Sequence, residues 1–310
     1  MGGHAQTSQR IAVVGSGVVG TATGAGLASR GHEVIFCDTS LERIGLLRRQ
    51  GYHAVDAETL SGHEHDIYLL SVPSPTREGE VDLSYVIAAA ETVGRAMRGA
   101  RNRPLVVVRS TVPPGTTEDI VLPTLVRHSG LEAVEGFGLC MNPEFLRALS
   151  ATEDFMRPRV IVIGALDEAS DLHLRAMYAS WRDVTVLSMD LRTAEMTKYI
   201  ANLFNAAKIS FFNELEAICE AIGANPRAAF GAAARGAEGL WNPTYGTRGL
   251  SPYGGACLPK DTEGFLGFAK RRGLEKDLLM LQATIATNQR IAQRYERTPH
   301  RWEDERASGL

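Results

Sequence analysis

The stretch Arg10–Gly20, RIAVVGSGVVG, decides the fold, because a short apolar run leads directly into a glycine-rich turn. The run has the composition of a buried strand, and the residues from Gly17 to Arg30 have the length and composition of a helix. Between strand and helix, the backbone amides of the turn and the helix N-terminus can hold a pyrophosphate. An acidic residue that can bind a ribose ends the next predicted strand, about twenty residues beyond the motif. We therefore expect a dinucleotide site that includes Gly15, Gly17, Val18, Val19, Gly20 and Asp38.

Asp38 also bears on which dinucleotide binds. Its carboxylate can accept hydrogen bonds from both ribose hydroxyls, whereas a 2′-phosphate at that place would meet a like charge. The sequence thus favours NAD over NADP as the cofactor. Two other interpretations stay open at this point: Asp38 is a solvated acid in a turn, or the nearby Arg43 accommodates a phosphate rather than flanking the adenine or facing solvent.

Outward from this motif, short apolar runs rich in β-branched residues alternate with segments of helical length, such as Leu41–Gln50 and Leu83–Arg98. Alternation of this kind predicts an open parallel sheet with helices on both faces. We therefore expect an α/β fold, a Rossmann-like doubly wound parallel sheet, over residues 1–190. The predicted strands are Arg10–Gly15, Glu33–Cys37, Asp66–Val72, Pro104–Thr111, Phe137–Met141, Val160–Gly164 and Thr185–Leu187.

Beyond residue 190 the strand pattern stops and helical sequence takes over. No proline or glycine interrupts Leu191–Ala221, and Gly223 is placed to end a helix there. Residues 191–310 are therefore expected to form a long, largely buried central helix followed by a small all-helical domain for substrate binding and dimerisation. Within that domain the sequence predicts a loop over Gly231–Gly255 and helices over Thr262–Arg271 and Lys276–Tyr295.

The predicted central helix carries apolar side chains around much of its circumference. One small domain cannot cover an apolar surface of that extent. We therefore expect a homodimer that forms through this helix. The apolar positions are Ile200, Leu203, Phe204, Ile209, Phe211, Phe212, Leu215 and Ile218.

The 310-residue chain has 44% hydrophobic and 22% charged residues and a formal net charge of −3 at pH 7. These values are typical of a two-domain globular protein and provide no basic field for nucleic acid or an anionic membrane. The N-terminus lacks the apolar core of a secretory signal, and no apolar run approaches the length of a membrane span. We expect a cytoplasmic protein that binds a small molecule rather than nucleic acid or a membrane.

The four cysteines, Cys37, Cys140, Cys219 and Cys257, are widely spaced and form no CxxC pair. Neither a disulfide framework nor a metal site is expected. The first three sit in apolar sequence, where cysteine is usually a small hydrophobe of the core. Cys257 differs, because it lies in a glycine-rich segment beside Lys260, where a thiolate could be stabilised.

Several further motifs fall at predicted strand ends or in loops, where a doubly wound sheet binds its ligand. They are Val72–Thr76 (VPSPT), Arg109–Thr116 (RSTVPPGT), Asn142–Arg147 (NPEFLR) and Gly254–Asp261 (GGACLPKD). With Lys198 and Asn202 on the predicted central helix, they resemble the UDP-glucose/GDP-mannose dehydrogenase family from Arg10 to Tyr295. Members of that family oxidise the primary alcohol of a sugar to a carboxylate with two NAD, through a thioester on a cysteine.

The resemblance implies a role for the lysine, the asparagine and the cysteine, and these roles make physical sense. Lys198 and Asn202 are one helical turn apart, so both can polarise the oxygen that gains charge during hydride transfer. Cys257 is the implied nucleophile, which attacks the aldehyde after the first oxidation.

The remaining implied roles concern hydrolysis and binding. Glu144 is the candidate base for the water that hydrolyses the thioester, while Thr111 and Asp261 position that water or the attacking groups. The resemblance places at the cofactor Val72, Pro73, Thr76, Ser110, Thr111, Glu144 and Lys260. It places at the substrate Phe145, Leu146, Lys198, Asn202, Tyr253, Gly254 and Cys257.

Simpler interpretations of the same residues remain open. The prolines of the first two motifs can be rigid turns, and Asn142–Pro143 can be a turn initiator. Lys198 can be a surface lysine. Cys257 can be an inert loop cysteine, since two-electron dehydrogenases with a similar sheet need no cysteine.

The sequence departs from the family in three places. Ala148 and Leu149 stand where the family continues with glutamate and glycine, so a carboxylate near the reacting sugar is missing. The segment Ala237–Pro243 replaces an Arg-Ile-Gly element whose arginine reaches the substrate. The family also has a further nucleotide-binding-like domain beyond the position of Leu310, so we expect a smaller or differently carried substrate, or a partner that supplies the missing contacts.

The main prediction is a four-electron, NAD-dependent dehydrogenase that acts on a sugar-like primary alcohol, such as a sugar, a nucleotide sugar or a nucleoside. Two alternatives are kept. A two-electron dehydrogenase would have retained the cysteine loop without hydrolysis, and it would release an aldehyde or ketone. A non-catalytic NAD-binding partner of another enzyme would bind NAD tightly and would turn over no alcohol.

Overall fold

The chain divides into two units, Met1–Ala201 and Asn202–Leu310. The structure is a computed structural model that describes residues 8–60, 64–247, 249 and 251–297. The division falls within a long helix that begins at Leu191. We retain residue 190 as the proposed end of the first domain, because this helix begins directly after it.

Strands of the described chain all lie in the first unit. They are β1 Arg10–Val14, β2 Glu33–Asp38, β3 His53–Asp56, β4 Ile67–Leu70, β5 Thr76–Arg77, β6 Glu80–Val81, β7 Leu105–Val108, β8 Gly138–Met141, β9 Val160–Ala165 and β10 Thr185–Met189. In the part of the chain that is described, eight of them form one sheet in the order β10-β9-β8-β7-β4-β1-β2-β3, and β5 and β6 form a hairpin. Neighbours in the large sheet are parallel except for β8 and β9. The predicted Rossmann-like doubly wound fold is confirmed.

The pairing of β8 with β9 departs from the predicted parallel sheet, because these two strands are antiparallel. The connection between them contains a short 3-10 turn and the six-residue helix Ala151–Met156. A parallel neighbour needs a crossover that returns the chain along the sheet, usually as a helix of a dozen or more residues. A helix of about 9 Å is too short for that return, and an antiparallel neighbour does not need it.

Helices cover the sheet of the first unit and are the main regular elements in the described part of the second unit. In the first unit they are α1 Val18–Ser29, α2 Leu41–Arg49, α3 Ser84–Ala96, α4 Leu122–Ser129, α5 Ala151–Met156 and α6 Glu168–Met177, with a π-helical turn, Thr117–Val121, directly before α4. The helix α7, Leu191–Ile222, continues into the second unit, where α8 Pro226–Gly236, α9 Glu238–Trp241, α10 Leu258–Arg271 and α11 Leu279–Arg297 follow.

The sheet of the first unit is buried on both faces. Alternate residues of β1 enter different layers: Ala12 and Val14 join the core under α3 and α4, whereas Ile11 and Val13 join the core under α1 and α6. Burial on both faces explains why these strands are continuous apolar runs in the sequence. It also leaves the strand ends, rather than the sheet faces, as the places where polar groups can gather.

The predicted loop over Gly231–Gly255 is wrong at its start, because residues 231–236 belong to the helix α8. The side chain of Asn225 accepts a hydrogen bond from the Ala228 amide at 3.1 Å, and Pro226 occupies the first helical position. An asparagine cap followed by proline is a strong start for a helix. The start of α8 therefore has a local sequence signal in Asn225–Pro226.

The start of α10 is a second correction, since the helix begins at Leu258 rather than at the predicted Thr262. Pro259 lies in its first turn, where the backbone amide has no helical partner to lose. The segment that holds Cys257 is therefore the start of a helix as well as a glycine-rich loop.

The isolated chain does not bury most of α7, although the sequence predicts a largely buried helix. Its first two turns are buried in the first unit through Leu191 and Ala194, but the side chains of Ile200, Leu203, Phe204 and Ile209 are 57–62% exposed in the isolated chain. Within the described residues, no helix is both long and apolar enough to cross a membrane.

Candidate dinucleotide site and catalytic groups

The three glycines of the motif, Gly15, Gly17 and Gly20, lack a side chain for different structural reasons. Gly15 has φ +93°, and a Cβ there would lie 2.5 Å from a neighbouring carbonyl oxygen. A Cβ on Gly20 would lie 1.9 Å from the Gly15 carbonyl oxygen, so α1 could not pack against the turn. Gly17 has room for a Cβ, whose nearest neighbour would be an Arg43 nitrogen at 3.5 Å. Packing therefore explains Gly15 and Gly20, whereas Gly17 leaves the open backbone that close approach of a ligand requires.

The N-terminus of α1 is accessible at the same place. Gly17 is the N-cap and has no side chain with which to cap the first amides, and the first turn of α1 contains no acidic residue. Val18 is exposed directly after it. The first amides of a twelve-residue helix thus point out of the glycine-rich turn, which suits a pyrophosphate.

Asp38 ends β2 beside this turn. Its Oδ2 accepts hydrogen bonds from the Ser16 amide at 2.8 Å and the Ser16 hydroxyl at 2.6 Å, and its Oδ1 accepts one from the Ser40 amide at 2.9 Å. Burial by itself raises the pKa of Asp38, but these hydrogen bonds and the Arg43 charge outweigh it and hold the pKa below its usual value. The carboxylate is therefore ionised at neutral pH. An ionised carboxylate suits the ribose hydroxyls of NAD and opposes a 2′-phosphate.

Two serines join the loops that follow β4 and β7. Ser74 Oγ donates to the Thr111 carbonyl oxygen at 2.5 Å, and Ser110 Oγ donates to the Val72 carbonyl oxygen at 2.7 Å. The two strands are adjacent, so the structure brings together three predicted cofactor residues, Val72, Ser110 and Thr111. Two more are exposed: Pro73 on the first of these loops and Thr76 at the start of β5. Ser74 is not among the residues predicted from the sequence.

An enclosed ion pair lies where the loop after β8 meets α7. Lys198 Nζ lies 2.9 Å from Glu144 Oε1 and also donates to the Glu144 carbonyl oxygen at 2.6 Å. The two side chains are 7% and 10% exposed. Glu144 Oε2 accepts a hydrogen bond from the Leu146 amide at 2.6 Å, and the ammonium lies 5.7 Å from the centre of the Phe145 ring. The structure thus brings together four of the predicted catalytic and substrate residues.

Glu195 lies on α7 one turn before Lys198 and is not among the residues predicted from the sequence. Its buried carboxylate accepts hydrogen bonds from the amides of Gly115 and Thr117, at the start of the π-helical turn. Burial raises the pKa of Glu195, and the hydrogen bonds from Thr117 and Gly115 offset part of the rise. The carboxylate therefore fastens the loop after β7 to α7. The sequence around it also contains Arg192, Thr193, Thr197 and Lys198, so no local signal singled out Glu195.

The other predicted residues belong to the second unit. Cys257 is exposed and is the N-cap of α10. In the first turn of α10, the Lys260 ammonium donates to the carboxylate of Asp261. The predicted pairing of Lys260 with the Cys257 thiolate therefore competes with a carboxylate, and it stays a prediction.

The loop before Cys257 is tied to α11. The Tyr253 amide donates to Asn288 Oδ1 at 2.7 Å, and the Tyr253 carbonyl oxygen accepts from Asn288 Nδ2 at 3.1 Å. Gly254, directly after it, is exposed. Asn202, also exposed, follows Lys198 by one turn along α7.

The remaining cysteines are less accessible than Cys257. Cys37 and Cys140 are buried, and Cys219 is half-buried. Burial raises the pKa of Cys37 to about 12 and also raises the pKa of Cys140, so both thiols stay protonated at neutral pH. Across the described ranges, no group of three or more His, Cys, Asp or Glu side chains could hold a metal ion.

These features define a class of protein. A doubly wound sheet, a glycine-rich turn that leaves Gly17 open, and an ionised acid at the end of β2 together form a dinucleotide-binding domain of the kind that dehydrogenases use.

Comparison with known proteins narrows the class. The UDP-glucose/GDP-mannose dehydrogenase family, NAD binding domain, matches residues 9–59 and 54–182, and the central domain of that family matches residues 192–290. A GDP-mannose 6-dehydrogenase from Pseudomonas putida is 33% identical over 273 residues, which cover 81% of this chain and 62% of that protein. A UDP-glucose 6-dehydrogenase from Bacillus subtilis is 32% identical over 307 residues, which cover 91% of this chain and 63% of that protein. A crystal structure of a ternary complex of GDP-mannose dehydrogenase from Pseudomonas aeruginosa has a TM-score of 0.84 and 32% identity, covering 92% of this chain and 69% of that one.

The chain belongs to the UDP-glucose/GDP-mannose dehydrogenase family, with the family's NAD-binding domain over residues 9–182 and its central domain over residues 192–290. The predicted family, fold and cofactor are thereby confirmed. The chain spans 62–68% of the length of the GDP-mannose 6-dehydrogenases that it matches. The roles of the individual site residues stay predictions.

Proposed function

We propose that this protein oxidises the primary alcohol of a sugar, carried on a nucleotide, to a carboxylate in two NAD-dependent steps. The buried Lys198–Glu144 ion pair is the observation that carries the proposal. It joins a cationic hydrogen-bond donor and a carboxylate at the end of β8, the edge of the sheet where doubly wound folds bind ligands. The names of the relatives, GDP-mannose and UDP-glucose 6-dehydrogenases, support the substrate class.

NAD, when bound, supplies the acceptor for the hydride that leaves the alcohol carbon. The open backbone at Gly17, the N-terminus of α1 and the Asp38 carboxylate would hold it. The hydrogen bonds of Ser74 and Ser110 keep the loops after β4 and β7 in one arrangement at the same edge of the sheet.

Lys198 has the donors that the first oxidation needs. An ammonium carries three N–H groups, and in the described residues two of its acceptors are the carbonyl and carboxylate oxygens of Glu144. The third N–H can donate to the substrate oxygen and stabilise the negative charge that develops there as the hydroxyl proton passes to water and before the hydride leaves the carbon. The amide of Asn202, one turn along α7, is the proposed second donor to the same oxygen.

Cys257 is the proposed nucleophile of the second step. Its exposed thiol, ionised on attack, adds to the aldehyde carbon, and loss of a second hydride from that carbon leaves a thioester. Glu144 then takes a proton from the water that attacks the thioester, releasing the carboxylate product and the thiol. Thr111 and Asp261 are the proposed positioning groups for these attacks.

The stoichiometry of NADH tests this mechanism. We expect two NADH per GDP-mannose or UDP-glucose consumed. Free sugars and nucleosides, assayed in parallel, show whether the sugar must be attached to a nucleotide. Cys257→Ser should produce no more than one NADH per substrate and release no carboxylate. Cys219→Ser, a change at the half-buried cysteine of α7, is the matched control and should behave as the parent. One NADH per substrate in the parent, unaffected by Cys257→Ser, would rule the mechanism out.

A two-electron oxidation is the second candidate, because of what lies at position 148. Ala148 begins a 3-10 turn three residues after Phe145 and provides no carboxylate for hydrolysis. In this candidate Cys257 does not carry the aldehyde to a thioester, so there is no hydrolysis and the aldehyde is released after one hydride transfer. Trapping the product with a carbonyl reagent distinguishes the two candidates, since an acid does not react.

We also propose that the protein forms a homodimer through α7. The exposed apolar side chains of α7, among them Leu203 and Phe204, support this interface. Sedimentation velocity at micromolar concentration should show a dimer, and Phe204→Asp should shift it to monomer. Leu172→Asp, at a similarly exposed leucine on α6, is the matched control. A parent that sediments only as a monomer would contradict the proposal.

A further inference from the structure

Arg109 is a buried arginine that directly follows β7 and is 5% exposed. Within the described ranges, no ion pair includes its guanidinium. A buried charge is costly unless hydrogen bonds compensate it. The partners of Arg109 therefore indicate what it stabilises.

These partners are neutral and come from different elements. Arg109 Nε donates to Thr23 Oγ1 at 2.9 Å, and its Nη1 donates to the side-chain oxygen of Asn142 and to Tyr178 Oη at 3.2 Å. The guanidinium carbon also lies 5.4 Å from the centre of the Phe155 ring. One side chain thus joins the end of β7 to α1, α5, the end of β8 and the residue after α6.

Asn142 is the member of this network that leads to the proposed catalytic groups. Its Oδ1 accepts from Arg109 and also from the Tyr178 hydroxyl at 2.7 Å, and its Nδ2 donates to the Val162 carbonyl oxygen of β9 at 2.7 Å. Burial raises the pKa of Tyr178, so its hydroxyl remains a donor at neutral pH. One orientation of the amide satisfies all of these bonds, so the Asn142 side chain is fixed.

The chain leads directly from this amide to the carboxylate of the ion pair. Asn142 is followed by Pro143, whose ring restricts the backbone, and then by Glu144. The position of Asn142 thus determines where the Glu144 carboxylate meets Lys198. We propose that Arg109 is a positioning residue of the oxidation, acting through Asn142 to hold Glu144 against Lys198. The kinetic part of this inference rests on the proposed function.

The shape of the guanidinium favours this role over simple packing. Holding acceptors on α1 and at the end of β8 at the same time needs a rigid planar fork of donors, which arginine has and lysine lacks. An apolar side chain of similar volume would fill the same space without burying a charge. The geometry that only arginine supplies is the simultaneous contact with Thr23 and Asn142.

The test compares Arg109→Met with Arg103→Met. Arg103 precedes β7 at the opposite edge of the sheet, where it pairs with Asp167 at 3.0 Å, so its loss removes a comparable contact away from the proposed site. Crystal structures of both variants give the Lys198–Glu144 distance, 2.9 Å in the parent. Steady-state kinetics with GDP-mannose and NAD then give kcat and KM separately.

We expect Arg109→Met to separate Glu144 from Lys198 and to lower kcat by about tenfold or more, since small misplacements of catalytic groups are costly. KM for NAD should change by less than about threefold, because the proposed loss is in turnover. Arg103→Met should keep both the contact and kcat. An unchanged contact in Arg109→Met, or a loss of kcat no larger than that of Arg103→Met, would overturn the inference.

Two further variants keep the test decisive. If Arg109→Met does not fold, Arg109→Lys and Tyr178→Phe each remove part of the network and should displace Glu144 to a smaller degree. An unchanged Glu144 position in both would overturn the inference. If the parent turns over no nucleotide sugar, the proposed function fails, and the crystallographic distance still decides whether Arg109 positions Glu144.

Discussion

Replacing Gly17 with alanine tests whether the glycine-rich turn is shaped by its own packing or by its ligand. The added Cβ would have an Arg43 nitrogen as its nearest neighbour at 3.5 Å, which is ordinary van der Waals contact. Gly17 has φ −68°, which alanine adopts without strain. Gly17 is also the N-cap of α1, where glycine is somewhat better than alanine. We expect the free energy of unfolding to fall by about 1 kcal/mol or less.

The same substitution at Gly20 is expected to act differently. A Cβ there would lie 1.9 Å from the Gly15 carbonyl oxygen, and a backbone atom cannot move aside as the end of a side chain can. Overpacking of this kind usually costs about 1–3 kcal/mol, and this contact is closer than most. Gly20→Ala should therefore lower the free energy of unfolding by about 3 kcal/mol or more.

The assay pairs urea-induced unfolding with calorimetric titration of NAD. Gly17→Ala should keep most of its stability and bind NAD about tenfold more weakly, a loss of about 1.4 kcal/mol, because the methyl occupies the open backbone at the turn. Gly20→Ala is the control, in which we expect the main loss to be in the free energy of unfolding. Gly17→Ala with the parent's affinity for NAD, or with the same loss of stability as Gly20→Ala, would refute the reasoning.

Two further predictions concern the buried carboxylates beside α7. Lys198→Met should lower the free energy of unfolding in urea by about 3–5 kcal/mol, because it leaves the Glu144 carboxylate buried and unpaired; a loss below about 1 kcal/mol would contradict the ion pair. Burial raises the pKa of Glu195 above 4.5, so its proton is held more tightly in the folded state and stability falls as pH rises through that range. Between about pH 4 and pH 7, the free energy of unfolding in urea should therefore fall for the parent relative to Glu195→Gln. If the two proteins show the same dependence on pH, the raised pKa of Glu195 is contradicted.

The parts of the fold that could be predicted from the sequence have local signals. The glycine-rich turn needs only its own residues and the flanking apolar run, and the long uninterrupted segment after residue 190 predicts α7 correctly to within one residue of its end. β3, His53–Asp56, was missed because four residues with polar ends resemble a loop. The reversal of β9 could not be predicted, because it depends on how the chain between β8 and β9 packs rather than on the strands themselves.

The site residues that belong to family motifs could be predicted from the sequence, whereas the residues that support them could not. Lys198 and Glu144 are 54 residues apart in the sequence, and only the resemblance connected them. Glu195 contacts an amide 80 residues away, and Arg109 contacts a hydroxyl 86 residues away. Periodicity and composition describe neighbours along the chain, so contacts over such separations do not appear in them.

The predicted site loops of the first unit must be held in place without a sheet, and residues that the sequence did not predict provide the hydrogen bonds that hold them. Loops at the end of a parallel sheet have no ladder of hydrogen bonds, yet hydride transfer requires the reacting groups to be held within a fraction of an ångström. Ser74 donates a hydrogen bond to the loop at Thr111, and Glu195 accepts one from the same loop at Gly115 and so holds it against α7. Arg109 holds the side-chain amide of Asn142, two residues before Glu144. Each anchor bonds to the backbone of a site loop or to a residue beside a proposed catalytic group. Substitutions at these anchors should therefore reduce turnover more than they reduce the affinity for NAD, because they displace the reacting groups while the glycine-rich turn and Asp38 remain in place.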